Sequence, residues 1–483
     1  MENIVIEIPT KLKYLAAPIR RLVDDIDRAI AQAGDGRACD YDVFEECIAG
    51  DAAAVERASH QAMLTSLDVD TPVVTINGKR YRRVGRGPDD YYTMAGPVPV
   101  GRTLYREAGV RNGPTVDPVS LRAGVVGDGW LPRTAQAMAH DIQRGTSREA
   151  AESNRVKCRL PYSRCSFERV GHLVGEQYQA CRVEVEDALA QLMSVPPEAA
   201  SVSASIDRVS IPMEEPRDRP VGRPRKDAPK NPVQRVFKMA YCATVTLHDA
   251  KGKSLHTVRY GWMPPTDTEA LADALACDVA AILRKRPDLR VVLLADGAPE
   301  MWNLLESHLG AKALGLDPQQ VFSFLDLWHV LEKLGKAAKI IWGADAVDEH
   351  VVGWKRRLLR RKSAVKSILA ELRMSGREWV RAGDEHPVHE AITYLDNNGE
   401  RMQYKRAVEH GLPVGSGNVE ATCKSLVQQR MKRPGSRWKY DSGERVLQLR
   451  ALALSDRWRN AMRLTLAPLA TSVLAEMEEK AAA

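Results

Sequence analysis

VVLLADGAPEMW, Val291 to Trp302, joins an apolar, β-branched run to an acid, a glycine and then Pro-Glu. Such a run suits a central parallel strand covered on both faces, and Pro299 with Glu300 marks the start of a helix. In open α/β sheets, sites form beyond the carboxyl ends of the strands, which is where Asp296 stands. The plainer reading makes Asp296 a helix cap. Two other segments repeat the arrangement. In SIDRV (Ser205 to Val209) Asp207 follows Val202, Ala204 and Ile206, which alternate with polar neighbours; its plain reading is an exposed strand acid paired with Arg208. In FLDLWHV (Phe324 to Val330) a strand passes into a helix at Asp326, and His329, three residues on, shares one face of the first turn. Taken alone, these two read as an N-cap and a core-edge histidine.

A fourth segment, PVGSGNVEATCKSLVQQRMK (Pro413 to Lys432), sets Glu420 one turn into a helix that opens with Gly-Ser-Gly. Ser416 or Asn418 can cap that helix. Lys424 stands four residues from Glu420, so the two could form a surface i,i+4 pair. Arg430, Lys432, Arg433, Arg437 and Trp438 follow closely and would give the helix a basic flank fit for a nucleic-acid backbone. Acids gathered from distant segments at one sheet edge are the ligand type that hard cations such as Mg²⁺ take. Two such ions can clamp the attacking and leaving oxygens of a phosphodiester displacement.

Around these segments the patterns predict a strand from Ser201 to Val209, a polar basic loop, strands Val236 to Leu247 and Ser254 to Trp262, and a helix Asp267 to Arg284. A strand Arg290 to Ala295, a helix Pro299 to Leu309, a strand Val321 to Leu325 and a helix from Asp326 complete the set. Antiparallel strands followed by helix-linked parallel ones are the order of an RNase H-like mixed five-stranded α/β sheet with flanking helices. The expected organisation is a helical region over 1–70, a β-containing module over 71–130 with an Asn77-Gly78 hairpin, and a helix-turn-helix segment over 131–195. The core would begin at 198 and run to 340, be interrupted by an all-helical insertion over 341–412, and resume with the glutamate helix and C-terminal helices over 413–483. In the helix-turn-helix candidate Thr146 and Glu149 suit a capping box, Ser163 caps the next helix, and Arg164 and Arg169 lie on the helix that would enter a groove. The alternative is a plain helical hairpin.

The 483 residues are too many for one ordinary core, and 44% hydrophobic with 28% charged residues is ordinary for globular proteins. No apolar stretch is long enough to span a bilayer and MENIVIEIPTKLKY does not read as a signal peptide, so a cytoplasmic, nucleoid-associated protein is expected. The eight cysteines include no C-x-x-C pair, which argues against a disulfide framework and against structural zinc. The net charge of +7 is modest, but basic residues cluster in RPVGRPRK, with Arg223, Arg225 and Lys226, in WKRRLLRRK (Trp354 to Lys362), and between Arg430 and Lys439. Such clusters flanking the acidic segments suit phosphate neutralisation. Gly-Arg-Pro in the first is similar to an AT-hook core, although a flexible basic loop explains it as well.

SIDRV, LLADGAPEMW, FLDLWHVLEKL and PVGSGNVEATCKSLVQQRMKRPGSRW, in this order, resemble the bacterial insertion-sequence transposases of the ISKra family, relatives of the Mutator-like group. The likeness spans about residues 200 to 460 and departs from the pattern at Asp207-Arg208, where Asp-Gly is common, and in a first module without the cysteines many relatives carry. It implies an RNase H-like core in which Asp207, Asp296 and Glu420 bind two Mg²⁺ or Mn²⁺ ions, with Asp326 and His329 as an auxiliary acid-x-x-His motif and a helical insertion before the glutamate. The implied activity is cutting at terminal inverted repeats of double-stranded DNA and joining of the 3′-hydroxyl ends to target DNA, by a dimer or higher oligomer. Lys424 joins the basic residues as an implied DNA contact. A catalytically silent DNA-binding repressor and a nuclease that cuts without joining are the alternatives.

Overall fold

A computed structural model describes residues 5, 7–34, 36, 38–214, 236–265, 267–383 and 386–476. The protein is mixed α/β, with two five-stranded sheets and many helices, and it divides into two compact units: 1–182 with 459–483, and 183–458. No helix among the described residues is long and apolar enough to cross a membrane.

In the first unit, helices α1 (Ala16–Ala33) and α2 (Tyr41–Leu67) precede strands β1 (Val73–Ile76), β2 (Lys79–Thr93), β3 (Gly96–Glu107) and β4 (Thr115–Val116). Asn77 and Gly78, at φ 49° and 76°, supply the left-handed pair that a tight β1–β2 hairpin requires. Short α3 (Pro118–Ala123) leads to α4 (Pro132–Arg144), α5 (Ser147–Val156) and α6 (Arg164–Ala180). The Thr146–Glu149 capping box forms, and the Ser163 hydroxyl accepts the Ser166 N–H at 3.2 Å. The tight connection lies between α4 and α5, whereas Arg164 and Arg169 stand exposed on α6, the third helix of the group.

The second unit opens with α7 (Arg182–Leu192). Its sheet is built from β5 (Ala199–Met213), β6 (Val236–Asp249), β7 (Ser254–Trp262), β8 (Arg290–Ala295) and β9 (Val321–Leu325) in the order β7-β6-β5-β8-β9. The first three strands are antiparallel neighbours, and β8 and β9 extend β5 in parallel. Helices α8 (Thr268–Lys285), α9 (Pro299–Leu309) and α10 (Ala311–Leu314) make the crossovers. Ala204, Ile206, Leu293, Ala295 and Leu325 belong to a large core shared with Leu271, Leu275 and Leu305, while Val292, Leu294, Phe322 and Phe324 pack with Ala407 and Leu412. Both sets of core residues alternate along the same strands, which is why those strands read as unbroken apolar runs.

Beyond β9 come α11 (Leu327–Trp342), α12 (Val347–Arg360), α13 (Ala364–Ser375), α14 (Pro387–Asn398) and α15 (Tyr404–Glu409). Trp354, Leu358, Ile368, Leu372, Val388, Ala391 and Leu395 make them one extension of the large core. The chain then returns to the sheet and forms α16 (Gly417–Thr422), a π-helical stretch Cys423–Gln428, α17 (Gln429–Met431) and α18 (Tyr440–Leu454). Arg457 donates to the buried Asp278 of α8 at 2.7 and 3.0 Å. Last among the described elements, α19 (Trp458–Leu466) and β10 (Val473–Ala475) follow, and β10 pairs antiparallel with β1 of the first unit, to which 459–483 belongs. The pattern predicts helix over 464–479, but Pro468 interrupts it, and the chain beyond buries Val473 and pairs with β1 instead.

Candidate active site

The register of the second sheet brings three of the acids to one level. In β5 and β8 Ser205 pairs with Leu294, so Asp207 and Asp296, each two residues further, stand opposite one another. In β8 and β9 Ala295 pairs with Leu325, so Asp296 stands opposite Asp326. Neighbouring strands lie about 4.8 Å apart, so three carboxylates span roughly 10 Å of the C-terminal edge of the parallel strands. The segment that carries Glu420 arrives at the same edge: the Leu327 N–H donates to the Val414 carbonyl at 3.0 Å.

Each acid is held differently. Asp326 is wholly buried and caps α11, with Oδ1 accepting the N–H groups of Trp328 (2.7 Å) and His329 (3.0 Å). Its Oδ2 accepts the Ser416 hydroxyl at 2.8 Å and the Ser416 N–H. The Ser416 side chain makes no capping bond to α16, contrary to what the sequence suggests; its hydroxyl donates to Asp326. Asp207, half-buried, accepts the Arg208 N–H at 2.6 Å on Oδ1 and the Cys423 thiol at 3.3 Å on Oδ2. The Arg208 guanidinium does not pair with Asp207 but with Glu300, at 2.8 Å. Asp296, half-buried, accepts the Ala298 N–H at 3.1 Å on Oδ1.

Glu420 meets His329, Oε1 to Nε2, at 3.3 Å, and no ion pair with Lys424 forms among the described residues. Asp326, His329 and Glu420 each bring one potential ligand atom within 4.8 Å of the others. Asp207 and Asp296 stand outside that tight set, having turned an oxygen toward the next backbone N–H groups. Cys423, three residues after Glu420 and so on the same helical face, ties this helix to Asp207. A hydrogen bond with Cys242, burial and the neighbouring Asp207 charge hold the Cys423 thiol far above the ordinary range.

Of the basic residues expected to meet DNA, Lys424, Lys432 and Arg437 are exposed and Arg433 is half-buried. Arg430 is buried, its guanidinium 4.9 Å from the Trp438 ring centroid, and the Trp438 indole N–H donates to the Met431 carbonyl at 3.0 Å, so this pair packs inward. Arg223, Arg225 and Lys226 lie outside the described residues. Sequence reasoning read Ser416 only as a helix cap and passed over Cys423, Cys242 and Tyr394 as parts of the site. Cys423 alone left a signal, its spacing of three from Glu420. Tyr394 of α14 packs against Gly297, where an added Cβ would stand 2.3 Å from the ring. Burial and then the Asp296 charge push its phenol well up.

The edge is rich in carboxylate oxygens, the donor type a divalent hard cation takes, and the ligand atoms that lie within 4.8 Å of one another are those of Asp326, His329 and Glu420. The thiol facing Asp207 is a weak donor and does not compete strongly with such an ion.

No family model and no curated protein matches the chain. Among solved structures it is similar to the Drosophila P element transposase strand transfer complex, at 12% identity and a TM-score of 0.35 over 66% of this chain and 91% of that one. It is also similar to the Mos1 transposase paired-end complex with left transposon end, at 14% identity and a TM-score of 0.17 over 56% of this chain and 77% of that one. At these scores the likeness carries no functional argument.

Proposed function

We propose that unit 183–458 is the RNase H-like core of a DDE transposase of an insertion sequence, of the kind the ISKra-like motifs imply. The carrying observation is the register that sets Asp207, Asp296 and Asp326 at one level, with the Glu420 helix tied to that edge at Ser416 and Cys423. Asp207, Asp296 and Glu420 would hold two Mg²⁺ or Mn²⁺ ions, and Asp326 would act as the clamp that fixes the Glu420 segment. When bound, the ions supply activation of water or a 3′-hydroxyl and stabilisation of the leaving oxygen. The protein's own groups orient the scissile phosphate: His329 steadies Glu420 at 3.3 Å, and Lys424, Lys432 and Arg437 offer cations to the DNA backbone. Reading of terminal inverted repeats would fall to α4–α6 as a helix-turn-helix variant, with Arg164 and Arg169 exposed on α6, and assembly on two ends calls for a dimer or larger.

The test is a gel assay of labelled inverted-repeat DNA with Mg²⁺ or Mn²⁺ and wild type beside Asp207→Asn, Asp296→Asn and Glu420→Gln. Metal-dependent cutting and strand joining that all three substitutions abolish, with DNA binding retained, is the expected result. Cutting without joining would make the protein a nuclease, and binding without cutting would make it a repressor.

A further inference from the structure

Trp328 has no part in the chemistry described so far, yet it stands between Asp326 and His329. Of the nine tryptophans it alone is exposed, at 55%, while the other eight are buried or half-buried. Its position is fixed from several directions. The Trp328 backbone N–H donates to Asp326 Oδ1 at 2.7 Å, which anchors the residue, and the indole edge lies against Gly415, where a Cβ would stand 3.1 Å from Cδ1 and 3.3 Å from Nε1. The Lys355 ammonium of α12 sits 4.1 Å from the ring centroid. Lys355 has no carboxylate partner among the described residues, and the next residue, Arg356, is exposed. A rigidly seated indole joined to an unpaired cation, open to solvent beside a cluster of acids, matches one ligand chemistry well. A nucleobase supplies the π-face and its strand supplies the negative charge.

We propose that Trp328 and Lys355 form a stacking platform for an unpaired nucleobase of the strand that enters the Asp207, Asp296 and Glu420 edge. This rests on the reading of that edge as acting on DNA and adds to it a requirement that the DNA be locally unpaired. Lys355 comes from the helical insertion, so the insertion completes the binding surface that the sheet edge begins. Glycine at 415 is what lets the indole lie against the Glu420 segment, so platform and clamp share one piece of chain.

The test uses the full chain in EDTA, so that binding is read apart from cutting. A single-stranded oligothymidine carrying one 2-aminopurine, and a fully paired duplex of the same length, are titrated with wild type, Trp328→Ala, Trp328→Phe and Lys355→Ala. Wild type should quench 2-aminopurine on binding the single strand. Trp328→Ala should weaken single-strand binding roughly 5- to 100-fold, the span expected of one base–aromatic stack, and leave duplex binding within about twofold. Trp328→Phe should recover part of the loss, and circular dichroism should show all variants folded, since the side chain is exposed. Equal single-strand affinity for wild type and Trp328→Ala, or an equal loss on both DNAs, overturns the proposal. Stacking that survives while wild type fails to cut in Mg²⁺ or Mn²⁺ would overturn the transposase reading alone, and absence of any DNA binding would overturn both.

Discussion

Asp326 is the residue on which the clamp and the metal-ligand readings of this edge give opposite results. Replacing it by alanine removes the N-cap of α11, which costs about 1 kcal/mol. It also leaves the Ser416 N–H and hydroxyl without their acceptor in a residue only 4% exposed. Each buried donor stranded in this way costs roughly 1–3 kcal/mol. The total is roughly 3–7 kcal/mol, a large share of the 5–15 kcal/mol that typically holds a domain folded. Asp326→Asn should cost less, because Oδ1 still caps the helix while its amide turns a donor toward Ser416. The assay is amide hydrogen exchange of the full chain, read in peptides covering 327–331 and 414–422, with EDTA and again with excess Mg²⁺. Local exchange avoids treating two compact units as one cooperative transition. Asp326→Ala should lose protection in both segments by about two to five orders of magnitude with or without Mg²⁺. Were Asp326 chiefly a cation ligand, its removal would be nearly neutral in EDTA and costly only in Mg²⁺. A loss below about 1 kcal/mol in EDTA refutes the clamp.

Three further outcomes follow from individual contacts. Gly297→Ala drives a methyl to 2.3 Å from the Tyr394 ring and should destabilise the second unit by roughly 1–3 kcal/mol. Tyr394→Leu in the same chain should recover most of this in urea unfolding. His248 donates Nδ1–H to the Gly252 carbonyl at 3.1 Å and accepts the Ser203 hydroxyl at 2.8 Å on Nε2, and burial lowers its pKa from 6.5 to about 4. The unfolded chain therefore takes up this proton first, and stability present above pH 6.5 should be lost on acidification to pH 4, by roughly 3 kcal/mol; unfolding of His248→Gln should lack that slope, and an unchanged slope would refute it. Cys423, buried and held protonated by Cys242 and Asp207, should resist alkylation in the native chain at pH 8 while exposed Cys39, Cys158 and Cys165 react, as mass spectrometry of labelled peptides would report.

The strands were legible because burial on both faces demands apolar runs, and Asp296 and Asp326, which follow such runs, have few places to go except the sheet edge; Asp207 instead lies within β5, which continues to Met213. The partners of those acids were not. Whether Glu420 turns to Lys424 or to His329 depends on how α16 meets α11, which is a matter of tertiary approach, and the geometry selects His329. Ser416 has the residue type and position of an N-cap, yet bonds a carboxylate from a segment 90 residues away. Arg430 belongs to a stretch that reads as a solvated basic face, but the π-helical widening before it and the Trp438 ring draw it inward. The short strand β10 pairs with β1 across nearly the whole chain, a contact that no local pattern can announce.

The existing bonds also rank the acids as cation ligands. Asp326 accepts four hydrogen bonds, three from backbone N–H groups, and surrendering an oxygen to a metal would strand donors in a dry interior. Asp296 gives up one side-chain bond at 3.1 Å, and Asp207 faces on one oxygen only a thiol, the weakest donor present. Glu420 has a half-exposed histidine as its neighbour, which can withdraw toward solvent. The three acids that lose least by binding a cation are therefore Asp207, Asp296 and Glu420, and the one that loses most is the one best placed to hold the other segments together. That division follows from desolvation and hydrogen bonding alone. Asp326 has its own reason to be an acid: a carboxylate can accept from two segments at once with both oxygens.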